Sequence, residues 1–359
     1  MKKVLMICNT HYQIIIAIQM KMTIKKDESV SILISDHSNN ANIVAEQLKK
    51  EKDLFEDVYY IETKQFCKRK TSIAGIMSDI SHCIKGADIF NEVAVNKYDE
   101  VIYYNFDLAT VSICEMLYKK NKSITCARFE EGILSYPNNG SYRYVSVMCG
   151  IRKVLGKLNI SKRVKSYYCF YPDLYTGTLT PISVPIITQN SPIINILKSC
   201  FPVNLQKHSY REKYIFFTSV YDFEGEAAIG ESEAVREIAE LVGSDNLLVK
   251  KHPRDSRKVY EELNLHVDNN SSMPWEIIQF QINLSDKVLL TVNSGSVLSS
   301  VLMLQDGPKA FYVYNLCDLS RNSKARASIA TIKELLENEK NRAIFEKVGA
   351  VTTAQEILC

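Results

Sequence analysis

Short apolar runs alternate along the chain with longer stretches in which apolar residues return every three or four positions. The runs at 4–8, 30–35, 58–61, 100–104 and 123–127 are too short and too uniformly apolar for helices, and they are predicted as strands. Helical periodicity is predicted over 14–22, 41–50, 72–85 and 108–120. Strands without strict apolar–polar alternation, each followed by a helix, describe a parallel sheet covered on both faces. Between 176 and 212 the rhythm breaks, and Pro181, Pro185, Pro192 and Pro202 mark the stretch as a linker. A second series follows, with strands at 214–218, 246–250, 287–291 and 310–314 and helices at 231–242, 274–283, 296–305 and 332–347. The expected architecture is α/β, with two doubly wound, Rossmann-like domains at 1–175 and 213–359 facing across a cleft, the last helices being free to cross back. In such sheets ligands bind beyond the carboxyl ends of the strands.

Composition narrows the class. The chain has 359 residues, 46% hydrophobic and 24% charged, which excludes wholesale disorder and fibrous repeats. The formal charge of +3 gives no reason to expect a nucleic-acid partner. Ten scattered cysteines without a CxxC argue against a zinc ribbon and for a reduced, cytoplasmic protein. The apolar N-terminus is interrupted by Asn9, Thr10, His11, Tyr12 and Gln13, unlike a signal peptide, and no run reaches the ~18 residues of a membrane span. The segment 151–168 interleaves Arg152, Lys153, Lys157, Lys162, Arg163 and Lys165 with apolar residues. That pattern suits a solvated helix face, or peripheral contact with an anionic membrane surface or acidic glycan. Nothing in the sequence specifies an oligomeric state.

Four places carry candidate chemistry, three at strand ends and one at a helix start. Glu130-Glu131-Gly132 puts two carboxylates before a turn glycine, where one could act as a general base; a solvated acidic turn would read the same. Lys250-Lys251-His252-Pro253-Arg254 runs from a strand into a loop whose proline disfavours helix at His252. It suits an anionic ligand, although basic residues flank many strand ends. Asn293-Ser294-Gly295-Ser296 opens a helix, offering hydroxyls and free N–H groups to a phosphate, or simple capping. Glu276 begins a further helix, where it favours the dipole or accepts hydrogen bonds from ribose hydroxyls. Trp275 beside it reads as core. His11 and His37 lack metal-spaced partners, and GxGxxG, Walker A, HExxH and DxD are absent, so neither metal nor cofactor is expected.

The order of these motifs resembles that of the bacterial sialyltransferases of the capsule and lipooligosaccharide type, polysialyltransferases included. Those families carry a D/E-D/E-G motif, an HP motif and a serine or threonine motif on a GT-B fold. The opening 7–13, Ile-Cys-Asn-Thr-His-Tyr-Gln, is similar to their N-terminal strand and loop. The resemblance implies an inverting transfer of sialic acid from CMP-sialic acid to a glycan hydroxyl, a galactoside in the first instance, without metal. It implies Glu130 as base, with Glu131 as the alternative, and His252 as the acid assisting departure of CMP. Lys250, Pro253, Glu276, Ser294, Gly295 and Ser296 would hold the donor, and Asn9, Thr10, Glu131 and Gly132 would line the acceptor side. Gly295 separates two serines that are adjacent in the family. The alternatives are a GT-B transferase of another donor (hexosyl or CDP-polyol phosphate) and a sugar-nucleotide epimerase.

Overall fold

A computed structural model of the protein describes residues 1–64, 74, 75, 77, 97–104, 108–136, 163–201, 210–224, 226–268 and 273–358. The chain divides into two compact units, Met1–Pro185 with Pro192–Phe201, and Ile186–Ser191 with Pro202–Cys359. The expected helix at 72–85 lies almost wholly outside the described residues.

The first unit is built on seven parallel strands: β1 Lys3–Cys8, β2 Ser29–Ser35, β3 Val58–Ile61, β4 Glu100–Tyr103, β5 Thr125–Phe129, β6 Val164–Cys169 and β7 Thr180–Ser183. Their order is β3-β2-β1-β4-β5-β6-β7. The second has six parallel strands: β8 Tyr214–Phe217, β9 Leu247–Lys250, β10 His266–Val267, β11 Val288–Thr291, β12 Lys309–Tyr312 and β13 Val348–Ala350, ordered β10-β9-β8-β11-β12-β13. Both are the Rossmann order. The strand sequence reverses direction between β1 and β4 in one unit and between β8 and β11 in the other, and a ligand crevice belongs at such a switch point.

Burial explains the patterns. Every residue of β2 is buried, and the helix His11–Met22 is buried from His11 through Met20, its first turn capped by Thr10 Oγ1, which accepts the Gln13 N–H at 3.3 Å. This is why its apolar residues run on instead of keeping to one face. The central strands β8, β9 and β11 are buried throughout. Trp275 is buried as expected, its Nε1–H donating to Ser300 Oγ at 2.7 Å.

Several elements depart from the expectation. The stretch 176–212 holds β7 and the helix Ile193–Cys200, which packs on the helices His11–Met22 and Ala41–Lys50. Its prolines have structural places: Pro181 sits in an edge strand, where a missing N–H is tolerated, and Pro192 caps the helix. Between them Ile187 bonds Met303 and Gln305 of the second unit. The expected helix 274–283 is a single turn, Trp275–Ile278, and the closing helix is Ser323–Glu337, started by an Asn322 cap, with the short edge strand β13 after it. The final turn, Ala354–Leu358, packs on the helix Glu231–Val242 and stays with the second unit. Of the basic segment 151–168, residues 151–162 lie outside the described part; Val164 onward is strand β6 rather than helix. Among the described residues no helix is long and apolar enough to cross a membrane.

Candidate functional site

At the carboxyl edge of the first sheet, Glu130 follows β5 directly and has no exposed surface. Its N–H donates to Tyr168 O of the neighbouring strand at 2.9 Å. Its carboxylate is held on both oxygens: Oε1 accepts the Tyr12 hydroxyl, and Oε2 accepts the Tyr136 hydroxyl and the Phe170 N–H, the last at 2.9 Å. Burial pushes the Glu130 carboxyl up to about 7, opposing the hydrogen bonds from Tyr12, Tyr136 and Phe170. Glu131 is half-buried, and its Oε2 accepts the Gln13 amide at 2.7 Å. Gln13 is itself oriented, because the Asn9 N–H can only donate and reaches Gln13 Oε1 at 2.7 Å. Consecutive residues of one helical turn thus grip consecutive carboxylates.

The turn that follows demands glycine. Gly132 adopts φ 72°, ψ −176°, a region essentially closed to residues with a Cβ. The turn is tied by Ser135, whose Oγ donates to Gly132 O at 2.6 Å and accepts the Glu131 N–H at 2.8 Å. Asn9, almost fully buried, links the end of β1 to β2 through the Ser35 hydroxyl at 2.8 Å. His11 packs edge-on against Phe201, and burial lowers its pKa to about 4.

In the second unit the candidate loops follow β9 and β11, the two strands that flank β8. The His252 N–H donates to Thr218 Oγ1 at 2.8 Å, joining the first of these loops to the end of β8. His252 Nδ1 accepts the Arg254 N–H at 3.2 Å. A neutral ring therefore carries its proton on Nε2 and presents a donor there. Burial and then the Arg254 charge lower its pKa, favouring that neutral form. Pro253 is exposed and fixes the backbone after the histidine. Lys250 is buried in an ion pair with Asp268 at 2.7 Å, to which Tyr210 also donates at 2.7 Å. Its first task is therefore to hold the end of β9. Glu276 is half-buried; burial raises its pKa against its own backbone N–H, the Lys250 charge and the Ser299 hydroxyl.

The serine–glycine turn is shaped by Thr291, whose Oγ1 donates to Phe217 O at 2.9 Å and accepts the N–H groups of Asn293 and Ser294 at 3.2 and 2.9 Å. Ser294 Oγ accepts the Ser296 N–H at 3.3 Å, so Ser294 takes on part of the capping expected of Ser296. Gly295 is exposed at φ −66°, and a Cβ built there meets none of the described residues within 4 Å. Among the described residues neither strain nor packing explains that glycine.

Sequence reasoning missed four supporting residues. Tyr12 and Tyr136 reach Glu130 from far away or across a turn; Glu231 and Asp268 sit behind the second site. Glu231 is fully buried, both oxygens accept the Ser219 N–H at 2.8 and 3.0 Å, and burial pushes its carboxyl up to about 8. Its sequence signal, an acidic residue opening a helix, resembles ordinary dipole compensation. Among the described residues no group of three His, Cys, Asp or Glu side chains could hold a metal ion.

One Rossmann unit suffices for a binding protein. Two in one chain, each with ordered polar chemistry at its carboxyl edge, give separate places for two ligands. The Alpha-2,8-polysialyltransferase (POLYST) family model matches residues 4–306, which include all the candidate positions; the chain belongs to that family and is a sialyltransferase. Among solved structures it is similar to the calicheamicin glycosyltransferase CalG4, at 12% identity and TM-score 0.48 over 98% of this chain and 85% of that one. It is also similar to the Streptomyces sp. SF2575 glycosyltransferase SsfS6 complexed with thymidine diphosphate (10%, TM-score 0.48, 100% and 99% covered) and to S. aureus MnaA with UDP (13%, TM-score 0.43, 99% and 94%). No curated protein matches the chain significantly.

Proposed function

We propose that the chain transfers sialic acid from CMP-sialic acid to a hydroxyl of an acceptor glycan, with inversion and without a metal. The observation that carries this reading is Glu130: a carboxyl withdrawn from water, gripped by three donors, at a sheet edge of a chain from a sialyltransferase family. Desolvation brings it close to the pH at which a general base works best. Glu131, the alternative base, is the acceptor-side neighbour held by Gln13.

On the donor side, His252 serves the departing phosphate from Nε2. As a neutral ring it donates a hydrogen bond to a phosphate oxygen, which stabilises charge as it develops. Full proton transfer, the general-acid role, needs a second ring proton, and Nδ1 must then give up the Arg254 N–H. The anionic donor favours that protonated form. The Ser294–Ser296 turn supplies hydroxyls and helix-start N–H groups to the phosphate, and Glu276 receives the ribose hydroxyls. The family name supports a sialyl-terminated glycan as the first acceptor to try, beside a galactoside.

The test combines Glu130→Gln with a donor comparison. Glu130→Gln should lose transfer while CMP still raises the melting temperature; an active variant removes Glu130 from the chemistry. Among CMP, CDP, UDP and GDP at matched concentration, CMP should stabilise the protein most, since a ligand of the native state raises its stability by mass action. A preference for CDP or UDP replaces the donor with a polyol-phosphate or hexosyl one. Transfer should persist in EDTA.

A further inference from the structure

Glu130 has no exposed surface, so an acceptor hydroxyl has no direct approach to the base in this structure. The acceptor's proton must reach the carboxylate through one of the groups that hold it. The Phe170 N–H is a backbone amide and does not relay protons. Tyr136 is as enclosed as Glu130. Of the two hydroxyl donors only Tyr12 keeps some residue surface, 6% against 0% for Tyr136, and it stands in the first helical turn beside Asn9 and Thr10, at the carboxyl end of β1.

We propose that Tyr12 is a catalytic residue that relays the acceptor proton to Glu130. The inference rests on the reading of Glu130 as base. In one concerted step the acceptor O–H bond breaks as its oxygen bonds the anomeric carbon. The acceptor proton passes to Tyr12 Oη, and the phenolic proton of Tyr12 passes to Glu130 Oε1. The anomeric carbon–phosphate oxygen bond breaks with its electron pair going to CMP. Tyr12 ends neutral, and Glu130 gains one proton.

The surroundings hold Tyr12 in the relay position. Its neighbour Gln13 is clamped between the Asn9 N–H and Glu131, each at 2.7 Å, which locks the turn in register with the carboxylate pair. Its ring lies under the glycine turn, with Cε2 3.9 Å from where a Gly132 Cβ would be. A tyrosine fixed this way is a conduit rather than a plug that swings aside.

Tyr12→Phe in the full-length protein separates the two. A relay predicts that kcat falls by about 10²–10⁴-fold, the usual worth of acid–base assistance, while the CMP-induced rise in melting temperature stays. A plug predicts the reverse, because removing the hydroxyl opens Oε1 to the acceptor; equal or higher activity overturns the proposal. In mixed light and heavy water the wild type should give a curved proton inventory, from two protons in transit, and a linear wild-type inventory overturns the relay whatever the variants do. Tyr136→Phe removes the other hydroxyl and should keep the curvature; loss of curvature in both variants alike assigns the two hydroxyls to holding the carboxylate only. An active Glu130→Gln enzyme would mean that the base reading itself has failed, whereas an inactive Glu130→Gln beside an active Tyr12→Phe refutes the relay alone.

Discussion

The two units share a strand order and a switch point, yet treat their carboxyl edges in opposite ways. The first encloses its chemistry: Glu130 is sealed, and Tyr12 and Gln13 bind the carboxylate pair from the first turn of the helix that follows β1. The second leaves its chemistry open, with an exposed Gly295, half-buried Ser294 and Ser296, and a half-buried His252 that presents Nε2–H. The contrast is the one that the proposed roles of the two edges require. A carboxylate becomes a useful base near neutral pH when water is removed from it. A phosphate site needs uncommitted N–H and O–H groups and room for a large anion.

This difference can be tested, the largest effects first. Glu130→Gln and His252→Ala should each lower kcat by about 10²–10⁴-fold. The contrast predicts different companions to that loss: Glu130→Gln leaves donor affinity intact, whereas His252→Ala also weakens CMP binding. Equal donor affinity in both variants would erase the division between the edges. The Ser294→Ala, Ser296→Ala double variant should weaken CMP binding about tenfold, and unchanged affinity would move the phosphate elsewhere.

Glycine separates the units next. Gly132→Ala forces a Cβ into a glycine-only conformation and should destabilise the protein by about 1–3 kcal/mol. Gly295→Ala meets open space at an ordinary φ, so the melting temperature should hold while CMP affinity falls. A destabilised Gly295→Ala protein would show that the residue is structural.

The smallest effects are on stability against pH. Glu130 and Glu231 both have folded pKa values raised above the ordinary 4.5, to about 7 and about 8, chiefly by burial. The folded state therefore holds more protons than the unfolded one in that window. The stabilisation is complete below 4.5 and is lost as pH rises through the folded value. Relative to wild type, Glu231→Gln should gain melting temperature as pH rises from 4.5 to about 8, and Glu130→Gln should do so up to about 7. Melting curves parallel at every pH would refute the raised values.

Much of this was legible from local pattern. The strands at 58–61 and the helices at 41–50 and 108–120 fall where periodicity put them, because apolar spacing directly reports which faces are buried. The proline density of 176–212 predicts irregular chain, whereas an edge strand and a helix start, both found there, also accommodate proline. The closing helix starts at Ser323, ahead of the predicted 332, because its cap, Asn322, lies in a polar segment without strong apolar spacing.

At the site, the sequence by itself determined the chemical groups, their order along the chain and their position after strands. The Glu130–Gly132 turn, His252-Pro253 and the Ser294–Ser296 turn are local features whose residue types declare acid, base or anion chemistry. Only the tertiary structure decided which carboxylate is sealed and which is half-open, that Lys250 pairs with Asp268, and that Tyr12 and Gln13 meet residues 118 positions away. The reason is that desolvation and hydrogen-bond partnership are properties of neighbours in space. In a parallel sheet, strands adjacent in space can be far apart in sequence, so local pattern does not reveal who those neighbours are.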